Sequence, residues 1–128
     1  MQNLLIEKIN PVMPYINFDA QTGVCEIEGQ SYITNTYAFY EPIYSWLEKF
    51  LADTPLSIVF HIKITYFNTS SSKCILEILR ILKKFEERGG KLVVNWHLNR
   101  QDEDLEDEVQ YFSMATNLHI NLIWVEKQ

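Results

Sequence analysis

The stretch LSIVFHIKITYFNTSSSKCILEILRILKKFEERGG, residues 56–90, holds the change of period that decides the fold. In its first part Leu56, Ile58, Phe60, Ile62, Ile64 and Tyr66 alternate with Ser57, Val59, His61, Lys63 and Thr65. A period of two with one apolar side predicts a strand with one face in a core and the other open or lightly covered. In its last part Ile75, Ile78, Leu79, Leu82 and Phe85 recur at helical spacing, forming one apolar stripe. Lys83, Lys84 and Arg88 lie near the end of that helix, where cations suit its dipole, and Gly89 and Gly90 stop it.

The same alternation continues downstream. KLVVNWHL reads as a strand, DEDLEDEVQYFSMATN as a helix with acids in its first turns, and HINLIWVE as a closing strand. Upstream, PYINFDAQTGVCEIEG reads as two short strands around a turn at Gln21, Thr22 and Gly23, with Val24, Glu26 and Glu28 on one side and Cys25 and Ile27 on the other. Between the hairpin and the alternating strand, Tyr40, Ile43, Tyr44, Leu47, Phe50 and Leu51 repeat at helical spacing. Pro42 suits the first turn of a helix starting near Glu41. Residues 31–40 stay open between a loop, a short helix and the front of a kinked helix. Tyr37, Phe39, Tyr40, Tyr44 and Trp46 make this segment aromatic-rich. Trp46 falls off the stripe and is the better candidate for a contact. The expected order is ββαβαβαβ: an α/β fold in a single domain, 1–128, with a mixed sheet and right-handed crossovers between its parallel strands.

Composition narrows the function. With 47% hydrophobic residues, the 128-residue chain can bury one core, and 22% charged residues argue against disorder. A net charge of −6 repels a phosphate backbone, so nucleic acid is not an expected partner. No apolar run approaches a membrane span. Two cysteines, Cys25 and Cys74, and no secretory signal at the start lead to the expectation of a cytoplasmic protein with reduced thiols.

The junction between strand and helix, TYFNTSSSK, is the chemical feature. Asn68 or Thr69 can cap the helix, leaving the serines solvated. An anion-holding role is the alternative, because the helix reaches Glu77 before its first acid and Lys73 adds positive charge. NTSSSK lacks the glycines of a P-loop. The anion is then either part of a ligand or a covalent phosphate on an accessible hydroxyl among Thr69, Ser70, Ser71 and Ser72.

YFNTSSSK, together with FHIKITY before it and ILEIL after it, resembles the SiaC-type regulatory phosphoproteins. GQSYITNTYAFYEPIYSWLEKFL and GGKLVVNWHLNRQDEDLEDE are similar to the same family, so the resemblance runs from about Tyr15 to Ile123. SYITN departs from it in lacking a proline after the tyrosine. The resemblance implies a STAS-like fold, no catalytic activity and no cofactor. It implies phosphorylation on the threonine of NTSS, which is Thr69, by a dedicated protein kinase, and removal of the phosphate by a PP2C-type phosphatase. Asn68, Ser70, Ser71, Ser72 and Lys73 would shape that site. In the best-known system of the family the unphosphorylated form binds and activates a diguanylate cyclase, raising cyclic di-GMP and promoting aggregation or biofilm formation. A domain binding a free phosphorylated ligand and a constitutive adaptor are the rival readings.

Other residues point less far. His61, His97 and His119 are scattered over predicted strands with no cysteine at metal-ligand spacing, so no metal is expected. Cys74 reads as a small core residue, with a lowered thiol pKa at the helix start as the alternative. DEDLEDE is a dipole-matched first turn, with Mg²⁺ chelation or a basic partner as alternatives.

Overall fold

The alternating stretch becomes an inner strand of a six-stranded sheet in the computed structural model, which describes residues 1–53, 55 and 57–126. Leu56, placed by the alternation on the core side, lies outside the described residues. In chain order the elements are β1 (Leu4–Ile6), β2 (Tyr15–Phe18), β3 (Val24–Ser31), α1 (Thr36–Ala52), β4 (Ser57–Phe67), α2 (Thr69–Glu87), β5 (Lys91–Asn99), α3 (Glu103–Thr116) and β6 (Ile120–Val125). Spatial order equals chain order. β1, β2 and β3 pair antiparallel, and β3 to β6 pair parallel.

Three successive right-handed crossovers that step in one direction place α1, α2 and α3 on one face of the sheet. Ile58, Phe60, Ile62 and Ile64 of β4 and the α2 stripe Ile75, Ile78, Leu79, Leu82 and Phe85 are buried in the resulting core. Each such side chain contributes about 2 kcal/mol by leaving water. The opposite face carries Val59, His61 and Lys63, none of them buried, as the polar half of the alternation requires. At the hairpin, Asp19 accepts the Gln21 and Thr22 amides, and Gly23 turns with φ 75°. A Cβ at Gly23 would lie 2.3 Å from the Ser57 carbonyl oxygen, so the close approach of β4 also demands glycine.

Four sequence expectations change. The order is βββαβαβαβ, because residues 4–6 add a strand on β2; three residues are too few to display a period. α1 begins at Thr36, and Pro42 lies inside it. Pro42 and Ala38 are both exposed, so the ring and the carbonyl it leaves without a donor face water. Trp46 is buried: its ring packs on Phe18 and Phe50, and its Nε1 donates to the Gln2 carbonyl. The early strands β1 and β2 widen the apolar stripe α1 must cover. Tyr66 is exposed, because the β3–β4 register shifts: Gly29 faces Ile64, whereas Gln30 faces Tyr66. Thr65 is the extra residue, and Gly29, at φ 116°, sits at the bulge. Beyond it the parity of β4 inverts, and Phe67 turns inward against Trp96 and Phe112.

Candidate functional site

The bulge delivers the chain directly into α2. Phe67 anchors the end of β4, and the Asn68 amide still donates to the Ser31 carbonyl, continuing the ladder to the last residue before the helix. Asn68 is the N-cap: extended at φ −86° and ψ 178°, it accepts the Ser71 amide on its side chain at 2.9 Å. Its backbone carbonyl accepts the Ser72 amide at 2.9 Å. The helix itself supplies no acceptor for the amides of Thr69 and Ser70.

The four hydroxyls diverge. Thr69 and Ser70 are exposed, Ser72 is half-buried, and Ser71 is fully buried. Ser71 accepts a hydrogen bond from the Ser31 hydroxyl at 2.8 Å, and Ser31 lies 2.7 Å from the Tyr40 hydroxyl. The first turn of α2 contains no acid. Lys73 is exposed on its second turn and makes no ion pair among the described residues. Glu77, the first acid, is engaged with Arg80 at 3.9 Å. The result is a positive helix end whose outward hydroxyls, Thr69 and Ser70, stand in solvent.

The chain matches, over residues 7–125, the family described as SiaC family regulatory phosphoprotein. It belongs to the SiaC family. An uncharacterised protein of Pseudomonas aeruginosa (strain UCBPP-PA14) is 31% identical over 99 residues, covering 77% of this chain and 79% of that protein. The crystal structure of apo-SiaC from P. aeruginosa superimposes with a TM-score of 0.88 at 27% identity, covering 96% of this chain and 99% of that one. A second match, with TM-score 0.89 and 27% identity over 95% of this chain and 99% of the other, is in a crystal structure of the diguanylate cyclase SiaD in complex with its activator SiaC from the same organism.

Within this SiaC-family fold the remaining candidates separate. His61 and His97 are not scattered: His61 Nδ1 and His97 Nε2 meet at 3.0 Å on the helix-free face. Burial, then His61 and Lys63, push the His97 imidazole down, with Glu26 opposing. His119 instead bonds Asn121 at 2.8 Å. Among the described residues no three or more His, Cys, Asp or Glu side chains form a metal-holding group. Cys74 is a core residue: burial raises its pKa, opposed by the Tyr44 hydroxyl. Cys25 is likewise buried, its thiol pushed up to about 12 by burial and then by Asp19. In DEDLEDE, Asp102 caps α3 by accepting the Leu105 amide, and Glu103, Asp104 and Glu106 fill the first turn.

Sequence reasoning missed Ser31, whose buried hydroxyl touches Ser71 forty residues away, and no local pattern signals it. It also missed an exposed tyrosine pair beside the junction. Tyr32 follows the end of β3, Tyr66 is the penultimate residue of β4, and their rings pack edge-to-face at 5.5 Å.

Proposed function

We propose that Thr69 is the phosphate acceptor of this regulatory phosphoprotein and that its occupancy sets binding of an effector. The observation carrying the reading is the exposed Thr69 hydroxyl on the first residue of a helix whose opening turn has no acid. A protein kinase transfers the γ-phosphoryl of a nucleoside triphosphate to Thr69 Oγ1; the hydroxyl proton leaves to the kinase, and nucleoside diphosphate departs. A PP2C-type phosphatase hydrolyses the ester with water and restores the hydroxyl. The phosphate brings about −1.5 to −2 charges. The unpaired amides and positive dipole of α2 favour that charge. Asn68 holds the turn, Ser70 and Ser72 flank the acceptor, and Lys73 adds positive charge beside it.

The effector is a protein docked around this junction, against Tyr66 and its neighbour Tyr32. The P. aeruginosa SiaC–SiaD complex supports a diguanylate cyclase in that role; the output that the family resemblance then implies is cyclic di-GMP and biofilm control. The entire 128-residue chain acts as one regulatory domain in the cytoplasm; among the described residues no helix is long and apolar enough to cross a membrane. Added charge weakens docking, and a tenfold change requires only about 1.4 kcal/mol.

The test is a pair of substitutions. Thr69→Ala should abolish phosphate incorporation and leave effector affinity near that of unmodified protein. Thr69→Glu should weaken that affinity by about tenfold or more. Phosphate mapped to another hydroxyl after kinase treatment overturns the assignment.

A further inference from the structure

We infer that Tyr40 and Ser31 are positioning residues: a buried hydroxyl chain that holds the first turn of α2 and sets which of its hydroxyls face solvent. The inference concerns the geometry of that turn; its consequence for phosphorylation rests on the Thr69 reading above.

Tyr40, Ser31 and Ser71 each have 0% of their surface exposed. Three hydroxyls removed from water are costly unless each finds a partner. Here they satisfy one another in a line, Tyr40 to Ser31 at 2.7 Å and Ser31 to Ser71 at 2.8 Å. The direction follows from proton count. A serine hydroxyl has one proton, and that of Ser31 is given to Ser71. Ser31 is therefore the acceptor from Tyr40, whose phenol must donate. Burial, the largest influence on Tyr40, raises its pKa and keeps that proton in place.

The line joins three elements at one point. Ser31 ends β3, Tyr40 belongs to α1, and Ser71 is the third residue of α2. Ser71 is held twice, its amide by Asn68 and its hydroxyl by Ser31. With Ser71 fixed inward, helical geometry turns Thr69 and Ser70, two residues and one residue earlier, toward solvent. One turn beyond Tyr40, the Tyr44 hydroxyl donates to the Cys74 carbonyl at 3.1 Å, so α1 grips α2 a second time. The two phenol rings stack with centroids 6.4 Å apart. Ser71, though part of the hydroxyl run, is thus a clasp and not an acceptor.

Amide hydrogen exchange on the full chain tests this. Tyr40→Phe keeps the ring and removes only the hydroxyl. Exchange at residues 71–75 should accelerate by about tenfold, while residues 78–87 of the same helix change little. Ser31→Ala should give the same local pattern, and it serves if the tyrosine variant folds poorly. The double variant removes both partners and should recover much of the thermal stability without recovering protection at 71–75. Unchanged exchange at 71–75, or a uniform rise along α2, overturns the positioning role. In parallel, peptide mapping of protein purified from its own cells reads phosphate at residue 69. Occupancy should fall several-fold in Tyr40→Phe. Equal occupancy in wild type and Tyr40→Phe overturns the functional consequence. No phosphate on wild-type Thr69 overturns the acceptor reading, while the exchange result still decides the clasp.

Discussion

The starts of α2 and α3 use one backbone device and opposite charge. Both helices follow a parallel strand and begin at the same, C-terminal end of the strands. Asn68 caps α2 by accepting the Ser71 amide at 2.9 Å; Asp102 caps α3 by accepting the Leu105 amide at 3.1 Å. α3 then adds Glu103, Asp104 and Glu106 in its first turn, whereas α2 has no acid there. Each acid in a first turn stabilises a helix by about 0.3–1 kcal/mol. α3 is electrostatically complete as it stands. α2 forgoes that stabilisation and retains a positive end beside exposed hydroxyls, which is the condition for charge added later to matter. The approach also differs. β4 passes into α2 through Asn68 alone, after a bulge, while β5 reaches α3 through a turn in which the Asn99 carbonyl accepts the Asp102 amide.

The largest expected effect breaks the α2 junction mechanically. Phe67→Ala should cost about 2 kcal/mol in urea unfolding, below the range for a fully buried phenylalanine because the ring is only partly buried. Tyr66→Ala should fall within about 0.5 kcal/mol of wild type. Equal losses at the two positions would refute the parity inversion at Thr65.

A smaller effect isolates the charge difference. Thr69→Glu should stabilise the fold by about 0.5 kcal/mol at low salt, with the gain shrinking as salt rises. Gln101→Glu, which adds an acid beside the already acidic start of α3, should give no gain. If both variants respond alike, the two helix starts are not electrostatically distinct.

The smallest effect lies away from both junctions. The His97 pKa is lowered below its ordinary 6.5 by burial and by His61 and Lys63, with Glu26 opposing. The unfolded chain therefore binds the proton more readily. This contribution to stability is full above 6.5 and is lost as pH falls below 6.5 toward the folded value. Partial exposure keeps it modest. His97→Gln should flatten the stability profile between about pH 7 and pH 5, measured by urea midpoints. A wild-type profile no steeper than that of the variant would refute the shift.

Much of the architecture is legible because its signals are local and repeated. The alternation of residues 57–64 and the stripe from Ile75 to Phe85 each span several periods, and both bury as read. The acids of α3 and their absence from the start of α2 are visible residue by residue. β1 is not legible, since three residues show no period and its partner β2 lies across a loop. Pro42 misleads because its tolerance depends on which side of α1 faces water. Trp46 and Tyr66 mislead for a related reason. An ideal period assigns faces, but the sheet edge under α1 and one extra residue in β4 reassign them.

Taken alone, the amino-acid order determined the succession of strands and helices from the hairpin onward, the uncompensated charge of one helix start, and the motif that marks the family, since all of these are carried by neighbours along the chain. Only the tertiary structure decided that Thr69 faces out while Ser71 faces in, that His61 meets His97, and that Ser31 and Tyr40 stand beneath the junction. Those choices depend on cross-strand register and helix packing, which join residues nine to forty positions apart through geometry that no local spacing encodes.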